Sequence, residues 1–396
     1  MGYCLMKSRP MIKWATIWIF LLCVSMDHAM GQDASQRPRG NLTFKGQLSA
    51  YTHLNLGNDL PWWSGGRYIP QLNYELDLKQ DRKIDFEASA NIYGNMGLLP
   101  FDSSSFNGDL KPYRIWARYS SRQFELRVGL QKINFGSASI LRPLMWFDQI
   151  DPRDPLQLTD GVWGILARYY FLNNANIWLW GLYGNDRVKG WETFPSRDNY
   201  PEFGGRFQTP LPRGEAALSY HHRIADATVL DNGAPGLNKV PENRFGFDAK
   251  FDIVIGFWLE ASWSNYNGKL NSFSNQEILN AGVDYTFGVG NGLTVILEQL
   301  VASYDEKPFA FQDALTFSLI NVTYPIGMFD SVNAIVYYDW TNNRIYNFLN
   351  WQKQFNKFTF YLMGYINPKD YQIPTQDFDE ILYAGNGIQV MLVFNH

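Results

Sequence analysis

Polar and apolar side chains alternate along this chain in segments of about ten residues, from near residue 41 to the C-terminus. Asn41, Thr43, Lys45, Gln47 and Ser49 interleave with Leu42, Phe44, Gly46, Leu48 and Ala50. Gln71, Asn73, Glu75, Asp77 and Lys79 do the same against Leu72, Tyr74, Leu76 and Leu78, and Lys83, Asp85, Glu87, Ser89 and Asn91 against Ile84, Phe86, Ala88, Ala90 and Ile92. A period of two predicts strands with one wet face and one apolar face. Eighteen such segments can be counted, from 41–53 to 385–394; sixteen is the alternative count, because 175–185 and 343–352 alternate poorly. The expected connections are tight at Gln80-Asp81, Ser121-Arg122, Asn173-Asn174, Pro212-Arg213 and Gly290, and long at 54–68, 96–110, 137–161, 186–199, 225–242 and 368–384. Short turns on one side and long loops on the other make the predicted fold all-β: a transmembrane antiparallel β-barrel over residues 32–396.

Composition fits that fold and excludes others. Aromatics reach 16%, with 14 Trp, 23 Tyr and 28 Phe, which suits rings held where apolar and wet regions meet. Mean hydropathy is −0.27, because the polar half of each barrel strand averages the apolar half away. There is no Gly-rich phosphate loop before a helix and no long 3.6-period stretch, so nothing predicts a helical or α/β core or a bound cofactor. Lys7, Arg9 and Lys13, the apolar run Trp14 to Val24 and the small residues at Ala29 and Gly31 read as a signal peptide over residues 1–31. Both cysteines, Cys4 and Cys23, lie in it, which leaves the mature chain without a disulfide or a thiolate metal site. His221 and His222 are adjacent on a strand and point to opposite faces, so they do not make a metal site. Loss of three cations and one carboxylate takes the formal charge from −4 to −6, the wrong sign for a nucleic-acid surface.

If the apolar row meets lipid, the polar row lines the bore. Arg114 and Arg118 share a face with Trp116, Glu125, Arg127 and Gln131 follow on the next strand, and Arg168, Arg206 and Arg223 have the same parity on later ones. Carboxylates gather on Glu75, Asp77, Asp85 and Glu87 and on a later wall of Asp248, Asp252, Glu260, Asp284 and Glu298. Opposed charges across a narrow aqueous pore sort solutes by charge and dipole; the competing reading is a set of lumenal salt bridges that stiffen the wall. Residues 137–160 are distinctive, with Leu141, Leu144, Met145, Trp146 and Phe147 among repeated prolines. Such apolar bulk needs burial, and proline rules out a regular strand or long helix. The expectation is a loop folded inward to narrow the pore, presenting Arg142, Asp148, Asp151, Arg153 and Asp154; the alternative is an outer cap.

The stretch Arg127-Val-Gly-Leu-Gln-Lys-Ile-Asn-Phe-Gly136, with the Pro/Asp-rich loop behind it, resembles Gram-negative outer-membrane porins of the phosphate-selective and alginate-export type. The final strand, Gly387 to Phe394, likewise resembles the signal read by the outer-membrane insertion machinery, although Asn395 and His396 follow the aromatic. The resemblance implies a passive diffusion channel for small hydrophilic solutes or ions, surrounded by outer-membrane lipid and lipopolysaccharide, with a homotrimer as the assembly common among porins. Only part of the cation ladder that phosphate selectivity needs is present, so solute identity and ion preference stay open. A barrel enzyme has little support, since no nucleophile brackets His222. Carbohydrate binding or export rests on Trp62-Trp63-Ser64-Gly65-Gly66 with Trp178, Trp180 and Trp191, against a reading of these rings as interfacial girdle. A structural, non-conducting barrel is the remaining alternative.

Overall fold

The computed structural model describes residues 40–55, 60–99, 102–230, 236–268, 270–369 and 383–396, so the expected signal segment lies outside the described residues. Among them are eighteen strands: β1 (Gly40–Asn55), β2 (Trp62–Leu78), β3 (Arg82–Leu99), β4 (Ser103–Ser120), β5 (Phe124–Gln131), β6 (Val162–Tyr170), β7 (Asn176–Leu182), β8 (Glu202–Leu211), β9 (Gly214–Ala225), β10 (Val240–Asp252), β11 (Gly256–Tyr266), β12 (Asn275–Phe287), β13 (Leu293–Asp305), β14 (Leu315–Pro325), β15 (Asp330–Asp339), β16 (Arg344–Gln354), β17 (Phe358–Ile366) and β18 (Asn386–Asn395). Each pairs antiparallel with its neighbours in sequence. β1 pairs with β2 along Gly40↔Leu76 to Leu54↔Trp62, and with β18 along Gln47↔Asn395 to Asn55↔Gly387, which closes the ring. Closure matters because an open sheet edge in hydrocarbon would leave a row of backbone N–H and C=O groups unpaired. Among the described residues helix is confined to two 3₁₀ turns, Thr228–Leu230 and Asn271–Ser274.

The burial pattern is inside out, as a barrel in lipid requires. On β1 the apolar Leu42, Phe44, Leu48 and Leu54 are exposed, whereas Ser49, His53 and Asn55 are buried. The same inversion recurs around the ring: Leu218, Leu297 and Leu349 face out, and Ser219, Glu298 and Asn321 face in. Outward aromatics pair near the strand ends, as in Tyr169–Phe171, Tyr285–Phe287 and Phe358–Phe394 on the turn side and Tyr338–Trp340 on the loop side, which is where a girdle at the headgroup level belongs.

The turns follow from local chemistry. Gln80 and Asp81 both take positive φ (62° and 56°) in the short turn that joins the register partners Leu78 and Arg82. Asn174, Arg213 and Gly290 also take positive φ in turns predicted to be tight. Two connections differ from expectation. Residues 96–110, read as a long loop, are almost wholly strand, because β3 runs to Leu99 and β4 starts at Ser103. The Ser/Gly/Asn/Asp-rich run 103–109 reads as a loop by propensity, but its backbone pairs with β3 from Leu99↔Ser103 onward, and that pairing decides its conformation. Likewise Trp62 to Gly66, read as part of the first loop, form the start of β2 and pair with β1.

One irregularity aims side chains. Between Ser89 and Ala90 the β3–β4 register slips, with Ser89 opposite Arg114 and Ala90 opposite Pro112. Tyr113 is the extra residue of a bulge, and Pro112, which has no N–H to give the ladder, sits beside it. The slip brings Lys111, odd in number, to the inward face that Arg114, Trp116 and Arg118 occupy with even numbers.

In a chain carrying Leu349→Cys or Asn350→Cys, with Cys4 and Cys23 replaced, a membrane-impermeant maleimide applied to barrels in lipid vesicles labels only the second. Labelling of both to the same extent would overturn the assignment of faces.

Candidate pore and constriction

Gly136 takes φ of 112° where the chain leaves β5, and a Cβ there would collide with the Glu260 carboxylate. Only glycine gives this turn together with this approach. From here to residue 161 the chain has no regular structure. Its polar backbone is satisfied by carboxylates of the far wall. Glu298 accepts from the backbone N–H groups of Ser139 (2.9 Å), Ile140 (3.0 Å) and Leu141 (2.6 Å), and Glu260 from those of Ala138 (2.8 Å) and Leu144 (2.6 Å). Ser137 donates its hydroxyl to Asp248 (2.8 Å) and the Trp146 indole N–H to Ser262 (2.9 Å). Hydrogen bonds to a charged acceptor contribute about 1.5–3 kcal/mol each, so five on two carboxylates hold this segment firmly.

Apolar contacts fix both sides of it. Ile133, Phe135, Leu144, Trp146 and Phe147 pack with Val162, Leu166, Trp180 and Leu182 of β6 and β7. Leu141 joins a second cluster with Ile278, Leu300, Phe317, Leu319, Ile335, Tyr337 and Tyr346 of β12 to β16. Those two walls lie about half the ring apart, so one irregular segment touches opposite sides of the barrel.

The arginines of the strip fall into separate groups. Arg118 makes a fork on Asp85 (Nε–Oδ1 2.8 Å, Nη2–Oδ2 2.6 Å). Glu125 lies near three guanidiniums, of Arg118 (3.6 Å), Arg127 (3.2 Å) and Arg168 (3.5 Å). Arg127 stands over Trp116 and Arg168 over Trp178, at 4.9 and 3.7 Å from the ring centres. Arg206 is buried and forked on Asp248. Arg114 donates to the backbone carbonyls of Tyr113 and Thr159, and Gln131 to those of Arg127 and Gly164. Arg223 and Arg244 enclose Glu192 and Glu242 in a buried quartet that fastens the β7–β8 connection to the wall.

Another group surrounds open space. A cavity of about 320 Å³ is bordered by Arg67, Lys111 and Tyr113 of the wall and by Arg142, Asp151, Arg153, Asp154 and Asp160. A second, of about 380 Å³, shares Arg67, Lys111 and Asp154 and continues along β1, β3 and β18 past Ser49, Tyr93, Asn95 and Gln389. Within the group Lys111 pairs with Asp160 (2.6 Å), Arg142 with Asp148 (2.9 Å) and Arg153 with Asp151 (2.6 Å). Burial raises the Asp154 carboxyl above its ordinary range, outweighing the N–H groups of Leu156 and Leu158 and the Arg67 charge. Arg142, Asp148, Asp151, Arg153 and Asp154 of the predicted site are therefore brought together, whereas Arg118, Glu125, Arg127 and Arg168 form their own group and Arg206 a third.

Arg67 and Lys111 were missed by sequence reasoning, Arg67 because it was assigned to a loop and Lys111 because strict alternation across an undetected bulge turns it toward lipid. Pro112 was the available signal for the bulge. Three of the tryptophans considered for sugar binding are engaged elsewhere: Trp180 stacks on Phe135 (5.6 Å), Trp191 donates to the Arg142 carbonyl (2.9 Å) and Trp178 is covered by Arg168.

No protein-family model and no curated protein matches the sequence. Solved structures do match. OccAB4 of Acinetobacter baumannii is 10% identical with a TM-score of 0.55, over 92% of this chain and all of that one. OccAB1 of the same organism is 8% identical with a TM-score of 0.54, over 90% of this chain and 96% of that one. An anion-selective porin from Comamonas acidovorans aligns over 90% of this chain and all of that one, at 12% identity and a TM-score of 0.49. The closed 18-stranded antiparallel barrel of this protein is the porin barrel fold.

Two measurements probe the site. Replacing Glu298 by Ala strands three backbone N–H groups and lowers stability in lipid by about 2–4 kcal/mol, read from the urea midpoint, whereas Glu75→Ala, which removes a half-exposed partner of Lys83, shifts it by about 0.5 kcal/mol or less. Because the Asp154 carboxyl titrates above the usual range, lowering the pH removes its negative charge early; in reconstituted barrels the anion-to-cation permeability ratio then rises as pH falls, and Asp154→Asn removes that rise.

Proposed function

We propose that this protein is an outer-membrane channel of a Gram-negative envelope through which small hydrophilic solutes and ions diffuse passively. The observation that carries this reading is the segment 137–160, held by wall carboxylates and contacting opposite walls, with hydrated-size cavities left beside charged side chains. An irregular loop inside a polar bore is tolerated at membrane depth because its backbone is bonded to protein and water rather than facing lipid. Such a loop narrows the passage and sets what crosses it. In this reading the short turns are periplasmic and the longer connections face outward, where the belt meets lipid and lipopolysaccharide. The homotrimer carried by the porin resemblance belongs to the same reading. The fold speaks for a channel rather than an enzyme.

The cavity of about 320 Å³ is bordered by four cations (Arg67, Lys111, Arg142, Arg153) and three carboxylates (Asp151, Asp154, Asp160); Asp148, the partner of Arg142, adds a fourth carboxylate, and Asp154 is hard to ionise. The constriction is therefore net cationic and favours anions, even though the whole chain is negative.

Purified protein in planar bilayers gives discrete conductance steps; their absence would exclude an open channel. Under a salt gradient, Arg67→Gln with Lys111→Gln moves the reversal potential toward cations. The shift shrinks when the experiment is repeated near 1 M salt, where the screening length is about 3 Å. An unchanged reversal potential at low salt would place the selective charges elsewhere.

A further inference from the structure

The charges are not spread evenly round the bore. On the inward rows of β14 to β17, charge appears only at the loop end, where Asp339 and Arg344 are register partners. Below them the rows read Phe317, Leu319, Asn321 and Thr323 on β14; Ser331, Asn333, Ile335 and Tyr337 on β15; and Tyr346, Phe348, Asn350 and Gln352 on β16, with Tyr361, Met363 and Tyr365 on β17. Thr323, Asn333 and Asn350 are consecutive register partners across three strands, and Ser331 pairs with Gln352 one step toward the turns. The result is a patch of carboxamides and hydroxyls with aromatic rings above it.

A cavity of about 270 Å³ lies between this patch and residues 152–157 of the inner loop. Asn333 Nδ2 donates to Asn321 Oδ1 and to Thr323 Oγ1 (2.8 Å), which fixes its amide and leaves its carbonyl oxygen free to accept. Asn350 Oδ1 has no hydrogen-bond partner among the described residues. At one end, Phe348 and Tyr365 lie with centres 6.3 Å apart and planes 30° apart, a single platform. Arg153 lies over part of that platform, 5.3 Å from the Phe348 ring centre, and Tyr383 meets both rings edge-on; all four side chains border the cavity.

We propose that this wall is a binding subsite for an uncharged polyhydroxylated solute, a mono- or disaccharide. The inference rests on the channel reading and adds to it a solute class and a place. Carboxamides both donate and accept, as vicinal hydroxyls do, so a sugar exchanges its water for paired amide bonds without desolvating a fixed charge. The C–H face of a pyranose is apolar and stacks on one aromatic platform. An ion or zwitterion gains more from the Arg67/Lys111/Asp154 side, where the counter-charges stand. The bore thus offers a charged track and a neutral one, separated by the inner loop and meeting at Arg153.

Maltose is the probe, read in two ways on the full-length barrel. Titrated into the detergent-solubilised protein, it gives saturable heat by calorimetry; added to single channels, it reduces ion current with a saturating dependence. Asn333→Ala with Asn350→Ala raises the concentration for half-saturation about tenfold in both, the change expected for losing two neutral hydrogen bonds. Phe348→Ala does the same through the platform, and Asn321→Ala serves as a second amide variant should either one fold poorly. Conductance steps with neither saturable heat nor block overturn the subsite while the channel stands. Saturable heat without conductance steps overturns the channel while the subsite stands. Binding that all these variants leave unchanged places the sugar elsewhere and overturns the assignment.

Discussion

Pairing of the first strand with the last is the constraint on which everything else in this molecule rests. Nine register pairs from Gln47↔Asn395 to Asn55↔Gly387 complete the ring, and Gly46 and His396 exchange backbone hydrogen bonds just beyond them. In hydrocarbon no water takes the place of a missing strand partner, and each exposed backbone group costs several kcal/mol. Once the ring is closed, alternation gives every inward position to polar chemistry at no cost to the lipid face. The inward half of the sequence is thereby released to select solutes, and the outward half is constrained only to be apolar.

The inner loop solves a second form of the same difficulty. A stretch of irregular backbone drawn into a barrel carries N–H groups that neither a helix nor a strand satisfies. Glu260 and Glu298 accept five of them, and a carboxylate is suited to this because its two oxygens accept several bonds at once. The same bonds in turn hold the two carboxylates in place against the wall. Wall and loop therefore stabilise one another, and the loop's apolar anchors on two distant walls make its path a consequence of packing rather than of its own propensity. Prolines at 143, 152 and 155 restrict the unfolded alternatives and lower the entropy lost on ordering.

How much of this could be read from the chain alone follows from which interactions are local. Period two is local, so the barrel, its eighteen strands and the sidedness of Ser49 against Leu48 or Ser219 against Leu218 were legible. Long-range pairing is not, which is why Ser103 to Asp109 read as loop although β3 recruits them into a strand. Parity is legible only while register holds, and the bulge at Tyr113 moved Lys111 from the apparent lipid face to the inward face beside Asp160. Ion pairing was the least legible feature. The arginine strip was visible as a row of charges, but that Arg206 is forked on Asp248 while Arg67 borders open space depends on partners far away in sequence.

Fixed charge in a narrow bore is useful only where it is not already cancelled. Arg118, Arg206, Arg223 and Arg244 each meet carboxylates at close range, so their field some way into the bore is largely dipolar and falls off quickly. Around the shared cavities Lys111, Arg142 and Arg153 are paired as well, with Asp160, Asp148 and Asp151, and what remains is Arg67 beside an Asp154 carboxyl that burial makes reluctant to ionise, so a net field survives there. That division assigns different work to similar residues. The paired arginines fix the shape of the wall and anchor the connections that fold against it, and Arg67, at the border of the shared cavities, is the cation left to act on the bore. The uncharged wall from β14 to β17 sharpens the effect, because a field set up on one side of a passage and unopposed on the other is transverse. A transverse field orients dipoles and draws ions to one edge, which leaves the amide-lined edge to solutes that carry no charge.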